Sequence, residues 1–218
     1  MSGSTTAILL LGLLIAYLIG AIPTGFWLTK ILKGIDIREH GSGNTGATNV
    51  FRVVGKRAGV AVLLFDLFKG WLAVFSMVGL VSLLASLPGG GLTAAAASWA
   101  YMLAALLALV GHSKSVWLGF TGGKSASTGL GVLLALAWPV AVGVAAVFAV
   151  GVAVSRTVSV GSIAAALSAT VFMLITQQPL AYVLLAVMGG CYVVFRHRSN
   201  IARLLAGTEP KTFGGQGQ

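Results

Sequence analysis

Acidic side chains are almost missing from this chain: four Asp and Glu stand against fourteen Lys and Arg among 218 residues. The four are Asp36, Glu39, Asp66 and Glu209, and no His/Cys/Asp/Glu set has metal-ligand spacing, which argues against metal catalysis. No serine stands within visible reach of both a histidine and an acid, so a hydrolase triad lacks its third member. Cysteine occurs once, as Cys191 inside an apolar run; it offers no disulfide and reads as a packing residue. Long polar stretches are scarce too. Only 8% of residues are charged and 57% are hydrophobic, so the chain reads as an integral membrane protein with little left for a separate soluble domain.

The charge that is present is unevenly placed. A net charge of +10 would suggest nucleic acid in a soluble protein. Here the bases cluster between apolar runs, where the positive-inside rule accounts for most of them and implies no nucleic-acid partner. The excess over that rule favours anionic substrates or membrane lipid. The first apolar run, Ala7 to Thr29, is followed by Lys30 and Lys33 rather than preceded by bases, as expected of a retained span with its N-terminus outside. Pro23 and Gly25 are placed to bend its inner end. Further spans are expected near Ala58 to Leu83, Ala94 to Val110, Val158 to Thr176 and Leu180 to Phe195, with an uncharged turn from Ala85 to Thr93 around Pro88.

Pro139 interrupts the run from Gly129 to Ser155, and an interior proline breaks or kinks a helix. A hairpin there keeps Arg156 and the tail on the side of the other bases, so that every Lys and Arg except Lys69 shares one face. Its arms are short, which leaves full crossing and re-entry both open. The expected fold is all-α and polytopic, with about seven transmembrane helices, the C-terminus cytoplasmic and the polar loops meeting on the cytoplasmic face. It forms one domain over residues 1–218, with a flexible tail over about 205–218.

Three polar islands interrupt the apolar runs. The first holds GSGNTGATNVFR, Gly41 to Arg52; the second runs from Gly111 to Thr128 and the third from Ser155 to Ser162, followed by a basic tail. Glycines bring backbone N–H groups close to an anion, while hydroxyls, amides and guanidinium groups add donors. Gly122, Gly123 and Lys124 at a helix start combine such N–H groups, the helix dipole and a point charge. Asp66 and Lys69, three apart on one helical face, read either as a structural ion pair or as a lysine reaching toward the anion site. GSGNTG fits a dinucleotide fingerprint, but no strand precedes it. GGKS ends like a Walker loop, yet Leu118 stands where its first glycine belongs. Trp71, Trp99, Trp117 and Trp138 lie near span ends, as in an interfacial belt. A transporter would need deep anion-binding groups, and only Asp66 and Lys69 sit deep.

Taken together, SGNTGATNVFR (42–52), GH at Gly111 and His112 leading to GFTGGKSAST (119–128), SRTVSVGSI (155–163) and HRSNIARLLAGTEPK (197–211) resemble the bacterial PlsY family. These are acyl-phosphate-dependent glycerol-3-phosphate acyltransferases, and the likeness covers nearly the whole chain in order. The resemblance implies seven helices, no cofactor, and transfer of an acyl group from acyl phosphate to the sn-1 hydroxyl of glycerol 3-phosphate, by a protein expected as a monomer in the bacterial inner membrane. It implies catalytic roles for Ser42, Arg52, Lys124 and His197. Substrate binding then falls to Gly43, Asn44, Gly46, Thr48, Asn49, Lys69, His112, Gly122, Gly123, Thr128, Arg156, Ser159, Ser162 and Asn200. His112, His197 or the substrate's own phosphate is left as the proton acceptor. Two departures stand out: Ser125 where many members have glycine, and Ser113-Lys114-Ser115 in place of a more apolar, proline-bearing segment.

Overall fold

The computed structural model describes residues 3–87 and 91–211; Pro88, Gly89 and Gly90 of the expected turn, and residues 212–218 of the expected flexible tail, lie outside the described residues. Two compact units make up the chain, residues up to Leu136 and residues from Ala137 on. The first holds α1 (Gly3–Ala21), α2 (Thr24–Lys33), α3 (Ala47–Val53), α4 (Lys56–Ala85), α5 (Ala94–Ser113) and α6 (Ala126–Leu136). The second holds α7 (Trp138–Ser155), α8 (Val158–Ile175), α9 (Leu180–Arg196) and α10 (Arg198–Leu205).

Small residues set the packing of the first unit. Its core is Ala16, Ala73, Met77, Ala104 and Ala108, where α1, α4 and α5 meet. A Cβ on Gly70 would strike the Thr128 carbonyl and one on Gly131 the Leu67 carbonyl, so α4 and α6 approach backbone to backbone. In lipid, where burial of apolar surface gives helices no reason to associate, such close van der Waals contact is what holds them. The outward faces are apolar: Leu64, Phe65, Phe68 and Phe75 of α4 are all more than half exposed, as suits a lipid surround.

Among the described residues, five segments are long and apolar enough to cross a membrane: residues 3–33 and the helices α4, α5, α7 and α8. A sixth is α9 taken with α10, bent by 57°. The expected count of about seven exceeds this because α6 has only 11 residues. At 1.5 Å per residue it is about 16 Å long, short of the roughly 30 Å hydrocarbon core. The interruption at Pro139 is real: α6 ends at Leu136, and α7 restarts with the proline in its first turn, where a missing N–H costs nothing. Cys191, expected to pack, is instead exposed on α9.

Pro23 does more than bend the first run. Helix α1 stops at Ala21 and α2 starts at Thr24, which frees the carbonyls of Ala21 and Ile22 from the helical ladder. At this depth, free carbonyls need donors. Ser115 Oγ donates to Ala21 O at 2.6 Å, and Lys69 Nζ to Ile22 O at 2.7 Å.

Candidate active site

The first polar loop is held by one buried amide. Asn49, 2% exposed on α3, accepts from the Ser42 N–H through Oδ1 (2.9 Å), while its Nδ2 donates to the carbonyls of His40 and Asn44 (2.9 Å each) and of Ile37 (3.3 Å). Expected to bind substrate, its side chain is committed to the loop's own backbone. Gly41 and Gly43 take φ of 60° and 68°, the left-handed region where side chains are strained. Asn44 Oδ1 accepts from Gly46 N at 2.8 Å, an Asx turn that starts α3. Ser42 and Arg52 end up exposed and Thr48 half-buried. Upstream, Arg38 grips the Asp36 carboxylate (2.6 Å) and lies over Phe26; its hydrogen bonds hold the Asp36 carboxyl below its ordinary value.

The second loop is built on His112, 7% exposed at the end of α5. Gly123 N donates to His112 O at 3.1 Å. A Cβ on Gly122 would strike that carbonyl, and one on Gly123 would strike His112 Nε2. Only glycines fit. Lys124 follows, half-buried, and then Ser125 at φ 63°, fully buried. The positive φ explains why glycine suits position 125. Serine there adds a hydrogen bond from Oγ to Leu109 O at 2.7 Å. Left-handed backbone costs a non-glycine residue about 1–2 kcal/mol, and the hydrogen bond returns about 1 kcal/mol. Ser125→Gly should therefore shift unfolding by less than about 1 kcal/mol, whereas Ser125→Ala, keeping the strain without the bond, should lose about 1–2 kcal/mol, read as Tm in detergent. The second departure also has a structural use. Ser113 Oγ donates to Leu109 O (3.1 Å), the Lys114 carbonyl accepts from Tyr17 OH (2.8 Å), and Ser115 closes the α1 break. Thr128 is fully buried, and its Oγ1 makes no hydrogen bond among the described residues.

Of the two readings of Asp66 and Lys69, the geometry is that of a buried ion pair. Lys69 Nζ lies 2.8 Å from Asp66 Oδ1, with side chains 5% and 1% exposed. Thr24 Oγ1 donates to the same oxygen at 2.5 Å, and His112 Nδ1 lies 3.6 Å from it. Lys69 is thus engaged by Asp66 and Ile22.

In the second unit, Ser159, Ser162, His197 and Asn200 are all buried, while Arg156 is exposed at the end of α7. His197 Nδ1 lies 2.7 Å from Val193 O. A carbonyl can only accept, so Nδ1 carries the proton and Nε2 is the basic nitrogen of the neutral ring. The residue that sequence reasoning passed over is Glu209. Its Oε1 accepts from Ser159 Oγ (2.9 Å) and Asn200 Nδ2 (2.6 Å), and its Oε2 from Arg203 Nε (2.7 Å). The signal available was a lone carboxylate in a basic tail.

With this geometry in hand, known proteins give a consistent answer. The family described as glycerol-3-phosphate acyltransferase matches residues 10–207. The glycerol-3-phosphate acyltransferase of Trichormus variabilis is 52% identical over 200 residues, covering 90% of this chain and 88% of that protein. The one from Gloeobacter violaceus is 50% identical over 196 residues, covering 90% and 91%. The crystal structure of PlsY, an integral membrane glycerol 3-phosphate acyltransferase, in its glycerol 3-phosphate form superposes with a TM-score of 0.81 at 35% identity, covering 97% of this chain and 96% of that one. Its lysophosphatidic acid form gives 0.80 over 94% and 95%.

Proposed function

The chain belongs to the glycerol-3-phosphate acyltransferase family, and from that membership we propose that it takes its acyl group from acyl phosphate and places it on the sn-1 hydroxyl of glycerol 3-phosphate in the bacterial inner membrane. The observation that supports a phosphate leaving group is the second loop. Two glycines packed without clearance on His112, followed at once by Lys124, bring a closely approachable backbone and an ammonium into one short segment. A departing phosphate is an anion that such a segment can hold.

In the proposed step, the substrate hydroxyl oxygen attacks the acyl carbonyl carbon and forms the ester C–O bond. The bond from that carbon to the phosphate oxygen breaks, and inorganic phosphate leaves. Lys124, with Ser42 and Thr48, stabilises charge on the carbonyl oxygen and the departing phosphate, and the side-chain-free Gly122–Gly123 backbone lets the substrate approach closely. Arg52 neutralises phosphate, Gly43, Asn44, Gly46 and Arg156 add to the polar surface, and Ser159, Ser162, His197 and Asn200 are contacts for glycerol 3-phosphate. Most of the rate gain then comes from positioning two anions together. The hydroxyl proton goes to His197 Nε2 or to the substrate's phosphate; His197→Gln distinguishes them, since a raised KM with kcat kept assigns the proton to the phosphate.

The test incubates purified protein with glycerol 3-phosphate and, in separate reactions, acyl phosphate or an acyl thioester, without nucleotide. Phosphate release coupled to lysophosphatidic acid from acyl phosphate alone is expected. Equal turnover with the thioester would remove the donor assignment while leaving the family's acyl transfer in place.

A further inference from the structure

Four polar side chains line one small cavity of the first unit: Asp66, Lys69 and His112, all buried, and the half-buried Thr24. Lipid-spanning segments keep such groups only where they have work to do. Two of the four hold one oxygen, Asp66 Oδ1, Lys69 Nζ at 2.8 Å and Thr24 Oγ1 at 2.5 Å, and His112 Nδ1 lies beside it at 3.6 Å, beyond hydrogen-bond reach. Each partner connects onward to a different part of the site. Lys69 ties α4 to the carbonyl freed at the α1–α2 break. Next to Thr24, Gly25 packs so closely on the first loop that a Cβ would strike the Thr45 carbonyl. His112 carries the second loop on its ring and its carbonyl. The carboxylate is therefore a point at which partners of both loops meet.

We propose that Asp66 is a positioning residue for acyl transfer: through His112 and Thr24 it fixes the Gly122–Lys124 loop and the Ser42–Thr45 loop at a set separation, and Lys69 is present to keep that carboxylate in place. The proposal deepens the acyl-phosphate reading and rests on it. Neither Asp66 nor Lys69 touches substrate in this account. Against it stands a purely mechanical role, an ion pair that braces helices and has no particular bearing on the loops.

The two roles separate in the paired variant Asp66→Asn/Lys69→Met, which removes both charges together. A buried pair replaced as a unit leaves no uncompensated ion, so Tm stays near that of the wild type where the single variants lose it. A mechanical brace would then return full activity. A positioning carboxylate would not: kcat falls by about 10- to 100-fold, because a misplacement on the order of 1 Å costs that much, while KM for glycerol 3-phosphate changes by less than about threefold. The second arm adds Gly123→Ala, which displaces the same loop directly; its effect on kcat should be much smaller in the paired variant than in the wild type, since both changes act on one path. A third arm reads the loop without turnover. Amide exchange over residues 119–126 accelerates in the paired variant at unchanged Tm. Full kcat in a folded paired variant, or unchanged exchange in that segment, overturns the proposal. A wild type that turns over only thioester leaves these arms readable with that donor, so failure of the donor reading and failure of the positioning role give different results.

Discussion

Lys124→Ala is expected to reduce acyl transfer by roughly 10²- to 10³-fold, equivalent to about 3–4 kcal/mol of transition-state stabilisation. The loop that carries Lys124 is held by backbone and by His112: Gly123 N is bonded to His112 O, and Ser125 Oγ to Leu109 O. Truncation therefore removes a charge and leaves its support standing, so Tm should stay within a few degrees. Lys124→Arg is the informative companion. It keeps the charge but replaces a compact ammonium by a planar fork that a glycine-tight loop has little room for, so recovery should be partial. Saturating phosphate-release assays on both variants, with Tm measured on the same samples, provide the check. Activity of Lys124→Ala within threefold of the wild type would remove this residue from the reaction.

The long helices were legible in the sequence because a membrane leaves few choices. Apolar runs of about 20 residues must satisfy their own backbone, and so become helices. The run from Ala58 to Leu83 appears as α4 with two residues added at each end. What could not be read was the use of each polar group. Asn49 follows a glycine-rich stretch, as many ligand-binding amides do, yet its amide holds the backbone of that stretch; residue type does not distinguish the two. Helix α3 was hidden because seven residues carry too little periodicity to register. Ser125 and Ser115 read as departures from a family pattern. Only coordinates reveal that each hydroxyl meets a backbone carbonyl. Glu209 escaped because its partners Ser159 and Asn200 lie 50 and 9 residues away, and only the fold joins them.

That carboxylate leads to the second large effect. Glu209, with a side chain 3% exposed, holds Ser159, Asn200 and Arg203 at once. Burial pushes its carboxyl up, but the hydrogen bonds from Asn200, Arg203 and Ser159, together with the Arg203 charge, outweigh burial and bring it below its ordinary value. Its folded pKa being the lower one, its stabilising contribution is complete above the unfolded value, near 4.5, and is lost as pH falls through the folded value. Glu209→Gln keeps the shape and removes the charge, and sets an NH₂ donor against a donor on one side. An unmatched donor and an uncompensated Arg203 together cost about 2–4 kcal/mol, which for a chain of this size lowers Tm on the order of 5–10 °C. The loss should be largest at neutral pH and shrink toward acid, where the wild-type carboxyl is itself protonated. Since Ser159 and Asn200 are proposed contacts for glycerol 3-phosphate, KM for that substrate should rise several-fold in the same variant, at temperatures where it remains folded. A Tm difference that is constant from pH 7 to pH 4 would mean that the charge of Glu209 is not what holds the three donors together.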